Sequence, residues 1–289
     1  MQTSRYEAPT KVEEAVRLLA ADSEARVLAG GTDLLVQMRL GRPAPSAFVD
    51  IKRIPELCRL EIDANGLRVG AGVPAVEIYA NETIRQLWPG VAEATDLIGS
   101  TQIQGRATLS GNLCNASPAA DTVPALVAVD AQVKIAGPSG ERTIPVEGFT
   151  TGPGKNVLAP GELVVEFIIP APAPRTADAY LRLIPRTEMD IAVVGAGVCV
   201  SLAEDGTISS ARVALGAVAP TVVRVPDAEA ALVGNRPTDD VLERAAAAAS
   251  AIANPIDDKR GTIAYRKQVS GVLTKRATKI ACQRAGERG

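Results

Sequence analysis

Three prolines within five residues, Pro170, Pro172 and Pro174, cut this 289-residue chain into two stretches that are patterned differently. A PAPAPRT segment of that composition is extended and semi-rigid, so regular structure must stop on one side of it and restart on the other. The domain boundary is expected there, with one domain over 1–172 and a second over 176–289. At roughly 150 residues per domain the length accommodates two, with enough core to enclose a cofactor.

Before the prolines the chain alternates strand and helix signals. Thr10 followed by Glu13 reads as a capping box, and Val12, Ala15, Val16 and Leu19 mark one face of a helix over 10–21. In ARVLAGGTDLLVQMRLG a strand around Val27 and Leu28 runs into Gly30 and Gly31, and Thr32 is placed to cap a helix that ends before Gly41. FVDIKRI reads as a strand, and LCRLEIDANGLRVGAGV as a hairpin about Asn65 and Gly66. The stretch 75–98 is helical with a break at Trp88, Pro89 and Gly90. QVKIAGPSGERTIPV gives a second hairpin, and LVVEFIIP is the strand that closes this half.

After the prolines, strands around 180–184, 191–202, 208–218 and 221–225 predict an antiparallel sheet. TDDVLERAAAAASAIANP is a helix that stops at Asn254 and Pro255. A last helix over 262–285 presents Val269, Val272, Leu273 and Ile280 on its apolar side. The chain up to Val73 is thus α/β in character, and the part after the prolines is an antiparallel sheet with helices.

The chain contains no histidine, which removes Ser-His-Asp and Cys-His catalysis, imidazole metal ligands and a histidine general base. Its four cysteines, Cys58, Cys114, Cys199 and Cys282, are far apart and form no CxxC pair, so a redox metal is expected on another chain. Net charge is −2, with no dense basic run, and one Trp, four Tyr and three Phe supply little for base stacking, so nucleic-acid binding is not expected. The start MQTSRYEAP lacks a signal-peptide pattern, and the longest nearly apolar run, 191–203, falls short of the ~20 residues a bilayer needs. A cytoplasmic protein without a transmembrane segment is the expectation.

Two segments carry the candidate chemistry. Gly30, Gly31 and Thr32, placed after a strand, can expose successive backbone N–H groups at a helix start, which is a binding place for a pyrophosphate. Taken alone the same residues also describe an ordinary strand-to-helix turn. The second segment is TLSGNLCNASPAADTVPALVAVDA, where small residues let the backbone approach a bound group and Thr108, Asn112, Ser117 and Asp121 supply polar side chains. From Gly105 to Val123 only Arg106 and Asp121 are charged, as in the wall of a cofactor cleft.

With these segments on the page, the sequence resembles the FAD-binding medium subunit of the molybdenum hydroxylases, the group of carbon monoxide dehydrogenase and the xanthine dehydrogenase flavin domain. The resemblance rests on VLAGGTDLL, IGSTQIQGRATLSGNLCNASPAAD, the 180–192 stretch and PIDDKRGTIAYRKQV, and so covers nearly the whole chain. It implies the fold class α+β, with a two-subdomain FAD-binding domain of the PCMH or vanillyl-alcohol-oxidase type followed by a C-terminal antiparallel sheet with helices.

The resemblance further implies that Leu28, Ala29, Gly30, Gly31, Thr32, Asp33 and Leu34 hold the FAD pyrophosphate. Thr108, Ser110, Gly111 and Asn112 would form a second strip along the dinucleotide, with Ser117 beside them and Asp121 on a polar part of the cofactor. Ile191 would pack against the isoalloxazine and Ile98 would touch its other side, while Arg182 stands where relatives often have lysine. Relatives commonly read QIRNxAT and GGN where this chain has Gln104, Gly105 and Ser110, and Ser110 is expected to add a donor there. No catalytic residue and no metal ligand is assigned.

The implied activity is electron transfer in an oxidoreductase complex. Molybdopterin on a large partner oxidises substrate, 2Fe-2S clusters on a small partner relay the electrons, and FAD on this chain passes them to an external acceptor. The implied assembly is a dimer of heterotrimers. Two other readings stay open at this point: a stand-alone FAD oxidoreductase of the same flavin fold, such as the UDP-N-acetylenolpyruvoylglucosamine reductase type, and a non-catalytic assembly protein without flavin. GAG at 70–72 and again at 195–197 matches no complete dinucleotide fingerprint and reads as close packing. Asp257, Asp258, Lys259 and Arg260 read as a solvated helix start with ion pairs, or as a subunit contact, and Glu188 and Asp190 as structural carboxylates.

Overall fold

The computed structural model describes residues 4–288, so Met1, Gln2 and Thr3 of the start and Gly289 lie outside the described residues. The first layer is a small parallel sheet. Arg5–Glu7 (β1), Val12–Ala21 (α1), Arg26–Leu28 (β2), Leu34–Arg39 (α2) and Ala47–Asp50 (β3) follow one another, and the strands lie in the order β1-β3-β2. Helix α1 buries Val12, Ala15 and Leu19, the i, i+3, i+7 stripe that its sequence shows. It starts two residues later than expected. Lys11 is the N-cap, Glu14 is therefore the third helical residue, and Glu14 rather than Glu13 reaches back, accepting from the Thr10 N–H at 3.3 Å. Thr32 does not cap α2 either, because Asp33 occupies that position without a side-chain bond. FVDIKRI is a strand only to Asp50, whose carboxylate accepts the Lys52 N–H and turns the chain into a short 3-10 segment, Ile51–Arg53.

The second layer is an antiparallel five-stranded sheet. Leu60–Asp63 (β4) and Gly66–Gly70 (β5) form the hairpin expected at Asn65 and Gly66. Six short helices come next: Ala75–Tyr79 (α3), Glu82–Leu87 (α4), Pro89–Asp96 (α5), Thr101–Gln104 (α6), Leu109–Cys114 (α7) and Thr122–Ala128 (α8). The stretch 75–98 breaks once more than the prolyl signal shows, because Asn81 caps α4 by accepting from Ile84 N–H at 3.1 Å. Gln132–Gly137 (β6) and Gly140–Pro145 (β7) form the second hairpin, Thr150–Gly152 (β8) and Lys155–Asn156 (β9) a two-stranded ribbon, and Leu163–Pro170 (β10) the last strand. Strand order is β4-β5-β10-β6-β7, so LVVEFIIP occupies the middle of the sheet. Burial on both faces explains its nearly unbroken apolar run.

The C-terminal part is a four-stranded antiparallel meander of Thr176–Leu183 (β11), Val194–Leu202 (β12), Ile208–Gly216 (β13) and Val223–Arg224 (β14). Pro226–Leu232 (α9), Asp239–Ile252 (α10) and Ile263–Glu287 (α11) follow. Thr238 caps α10 and Thr262 caps α11, each through its hydroxyl oxygen. On α11, Val269 and Leu273 are buried as expected, whereas Val272 is on the exposed side, because the inward stripe runs through Ser270, Thr274, Ala277 and Ala281. Helix α11 packs on β11 and β12, and α5 and α8 of the first part pack on β11, β12 and β13, so the meander is shared between the two halves. Both GAG runs are packing glycines: a Cβ at Gly70 would stand 2.4 Å from the Leu57 carbonyl oxygen, and one at Gly197 2.5 Å from that of Pro124.

Candidate functional site

The turn between β2 and α2 meets the turn before α7. A Cβ on Gly30 would sit 2.1 Å from the Arg106 carbonyl oxygen, so only glycine lets these two backbones touch. Gly31 takes φ +77°, a left-handed conformation that other residues adopt at a cost. Among the described residues, the N–H groups of Gly30, Gly31, Thr32 and Asp33 donate to no backbone carbonyl. Four consecutive amides without a backbone acceptor form a donor set fit for an anion.

These residues line a cavity of about 570 Å³, within the range of small-molecule and cofactor sites. Of the expected site residues, Ala29, Gly30, Gly31, Thr32, Asp33, Leu34, Ile98, Thr108, Ser110, Gly111 and Asn112 all line it. Two sequence segments some 75 positions apart thus share one wall. Leu28, Ser117, Asp121, Arg182 and Ile191 do not line it. Leu28 packs behind the turn, its Cδ1 lying 3.0 Å from where a Gly31 Cβ would be.

The polar side chains of the second segment are occupied in holding that wall. Thr108 Oγ1 accepts from the Gly111 N–H at 2.9 Å and so caps α7. Asn112 Oδ1 accepts from both the N–H and the hydroxyl of Thr122, at 3.1 and 2.7 Å. Ser110 is a correction: its hydroxyl donates to the Ala71 carbonyl at 2.6 Å and is not a spare donor for the cavity. The departure at Gln104 likewise turns inward, where its Nε2 donates to the Asp96 carbonyl at 2.5 Å.

Asp121 and Arg182 form a buried pair beside the cavity. Their Oδ2 and Nη1 are 3.0 Å apart, and the same Nη1 donates to the Leu97 carbonyl at 2.7 Å, one residue from Ile98. Burial pushes the Asp121 carboxyl up to about 6 against the pull of Arg182, and its Oδ1 is buried with no partner. Ile191 is half exposed on the segment between β11 and β12, which Met189 N–H ties to the Gly99 carbonyl at 3.3 Å. Ser117 Oγ accepts from the Ala119 N–H in its own loop. Asp258 is no solvated helix start, because it lies before the Thr262 cap and its carboxylate holds the buried Arg266 at 2.6 Å.

Several lining residues carry no advance signal in the sequence. Gln37 Nε2 donates to Asn115 Oδ1 at 2.8 Å across the cavity wall, and Asn156, Leu158, Ala159 and Pro160 come in from the chain before β10. Asn115 lies inside the quoted NLCNAS run, whereas the residues around 156–160 are brought there only by the long-range pairing of β10. Cys114 also lines the cavity, but burial pushes its thiol up to about 12, so it stays protonated and unreactive. Among the described residues, no group of His, Cys, Asp and Glu could hold a metal ion, and no helix is long and apolar enough to cross a membrane.

Known proteins resemble the chain over nearly its whole length. A family described as the FAD binding domain in molybdopterin dehydrogenase matches residues 2–172, and one described as the CO dehydrogenase flavoprotein C-terminal domain matches 179–281. The chain is 36% identical to the carbon monoxide dehydrogenase medium chain of Hydrogenophaga pseudoflava over 280 residues, covering 96% of this chain and 97% of that one. It is 33% identical to the xanthine dehydrogenase FAD-binding subunit of Escherichia coli O157:H7 over 226 residues, 78% of this chain and 77% of the relative. A solved structure of carbon monoxide dehydrogenase from Hydrogenophaga pseudoflava, lacking the Mo-pyranopterin moiety of its molybdenum cofactor, superposes with a TM-score of 0.93 at 37% identity, covering 97% of this chain and 98% of that one. The chain therefore belongs to the molybdenum hydroxylase family, as an FAD-binding medium subunit of the carbon monoxide dehydrogenase and xanthine dehydrogenase type.

Proposed function

We propose that this chain is the electron-transfer flavoprotein of a heterotrimeric molybdenum hydroxylase, with an FAD-binding domain over 1–172 and a C-terminal domain over 176–289. The carrying observation is the meeting of the two glycine segments, where four acceptor-free amides and two glycines line one cavity. Asp121 Oδ1, outside the cavity lining, is a buried acceptor that the chain itself leaves unsatisfied. FAD bound there supplies the redox chemistry, taking electrons from 2Fe-2S clusters of a small partner and passing them to an external acceptor.

The chain's own residues bind and orient. The amides of residues 30–33 hold the pyrophosphate, and the strip at Thr108, Ser110, Gly111 and Asn112 forms the facing wall along the dinucleotide. Ile98, largely buried in the cavity wall, would present an apolar surface to the ring, and Ile191, exposed on the β11–β12 segment outside that wall, would pack against it. Arg182, fixed by Asp121 and the Leu97 carbonyl, places a buried ion pair near that end. Substrate oxidation belongs to a large molybdopterin-binding partner, the complex is a dimer of heterotrimers, and it works in the cytoplasm.

The test is twofold. Heating the purified chain is expected to release FAD at about one per chain, and an isolated chain mixed with the complex's substrate is expected to show no flavin reduction until both partners are added. Release of FMN, or a protein that takes up no flavin, overturns the cofactor. Substrate-dependent bleaching of the isolated chain overturns the electron-transfer role in favour of a stand-alone reductase.

A further inference from the structure

A charged cluster lies against the glycine turn and is used by nothing described so far. Tyr6 Oη donates to Asp50 Oδ2 at 2.6 Å, and Lys52 Nζ stands 2.7 Å from Asp50 Oδ1. The same ammonium donates to the Ala29 carbonyl at 2.8 Å and approaches the Leu28 carbonyl at 3.4 Å. Asp50 is buried, and its Oδ1 also accepts the Lys52 backbone N–H at 3.0 Å. Ile51 lines the cavity but Lys52 does not.

We propose that Lys52 is a positioning residue for the pyrophosphate turn: its ammonium, steadied by Asp50 and Tyr6, fixes the 29–30 peptide plane with the Gly30 N–H directed away from Lys52. This rests on the FAD reading above. The physical step is peptide planarity. In a trans peptide the carbonyl of one residue and the N–H of the next point in opposite directions, and no peptide bond among the described residues is cis. Holding the Ala29 oxygen on the Lys52 side therefore sends the Gly30 N–H to the other side. Gly30, which flanks that peptide and has no side chain to resist rotation about its φ, cannot hold the plane by itself.

The ammonium is matched by the Asp50 carboxylate at 2.7 Å, so the pair brings little net charge to the turn. Burial pushes the Asp50 carboxyl up, but Lys52 and Tyr6 more than offset this and hold it below the usual carboxylate range. Asp50 is thus a carboxylate at neutral pH, and the effect of the cluster on the turn is one of geometry.

The experiment titrates the full-length apoprotein with FAD, ADP and riboflavin, following fluorescence or calorimetric heat. Lys52→Met is expected to weaken FAD and ADP about tenfold and leave riboflavin unchanged, because only the first two carry the pyrophosphate; Lys52→Arg should recover most of the loss. Lys52→Met also strands the buried Asp50 carboxylate, so the Asp50→Asn/Lys52→Met double variant is measured beside it. That variant removes both charges while still lacking the bond to Ala29, and it should show the same loss with far-UV circular dichroism unchanged. FAD affinity within twofold of the parent in the double variant, or an equal loss for riboflavin, overturns the proposal. A parent protein that binds neither FAD nor ADP overturns the flavin reading itself, and this inference with it.

Discussion

Gly31→Ala isolates the backbone's part in the site. The residue sits at φ +77°, and an added Cβ would meet Leu28 Cδ1 at 3.0 Å and Leu35 Cδ1 at 3.3 Å, both the ends of flexible side chains. Steric cost is therefore small, and the conformational cost of placing alanine in the left-handed region, about 1–2 kcal/mol, dominates. In the free protein the turn escapes this cost by relaxing to negative φ. Binding must restore the original turn, so the cost falls on affinity, and the FAD dissociation constant is expected to rise about 5- to 30-fold. The matched control is Gly206→Ala, which has φ +84° and nothing within 4 Å of its added Cβ, in the turn between β12 and β13. It carries the same backbone cost but should leave FAD affinity unchanged. Gly195 is unsuitable as a control, because a Cβ there would stand 2.5 Å from Tyr180 Oη. Titration of apoprotein with FAD, together with thermal melts without FAD, decides the matter. Unchanged FAD affinity in Gly31→Ala would refute the reasoning and reduce the segment to a plain turn.

Two further outcomes follow from buried groups. Asp178 on β11 accepts the Val91 N–H at 3.1 Å, its Oδ1 has no partner, and burial pushes its carboxyl up to about 7. A raised native value means that the folded state binds the proton more tightly, so this contribution to stability is complete below about pH 4 and is lost as pH rises through about 7. Asp178→Asn is expected to flatten the fall in Tm between pH 5 and 8, an effect on the order of a few kcal/mol over the window; parallel melting curves for parent and variant would refute it. Alkylation with iodoacetamide at pH 8, read by mass spectrometry, is expected to modify Cys58 alone. The thiols of Cys114 and Cys199 are pushed up to about 12 by burial and that of Cys282 to about 11, while Cys58 is exposed.

Much of the fold is written in local patterns. The Asn65–Gly66 signal, the Pro138–Gly140 turn and the alternating strands after the prolines each correspond to a hairpin or meander, because turn chemistry and strand period act over a few residues. Helix starts are less legible, as α1 shows, since Thr10 and Glu14 offer an alternative to Thr10 and Glu13 one residue apart. α9 went unforeseen even though Pro226 opens it and Asp227 and Glu229 lie in its first turn. In the site, the glycines announced themselves but the polar residues misled in part. A threonine that caps its own helix, as Thr108 does, or a serine that ties down a distant carbonyl, as Ser110 does at Ala71, has the same letters as one that binds a ligand. The wall at 156–160 was invisible because it depends on β10 pairing with strands far away in sequence.

The inward orientation of those side chains leaves the ligand-facing donors of the glycine turn to the main chain. Where the donors are main-chain amides, the requirements on sequence shrink to positions whose backbone geometry excludes a side chain. Gly30 is such a position through its approach to Arg106, and Gly31 through its φ. The departures at Gln104 and Ser110 impose no corresponding cost, since Gln104 ties down the end of α5 at Asp96 and Ser110 ties α7 to Ala71. Gln104 and Ser110 each bond a carbonyl behind the wall, and the amides of residues 30–33 have no backbone acceptor. A side chain at Gly30 would meet the Arg106 carbonyl and one at Gly31 would strain the turn, so these two glycines, rather than the polar side chains behind them, shape the donor set.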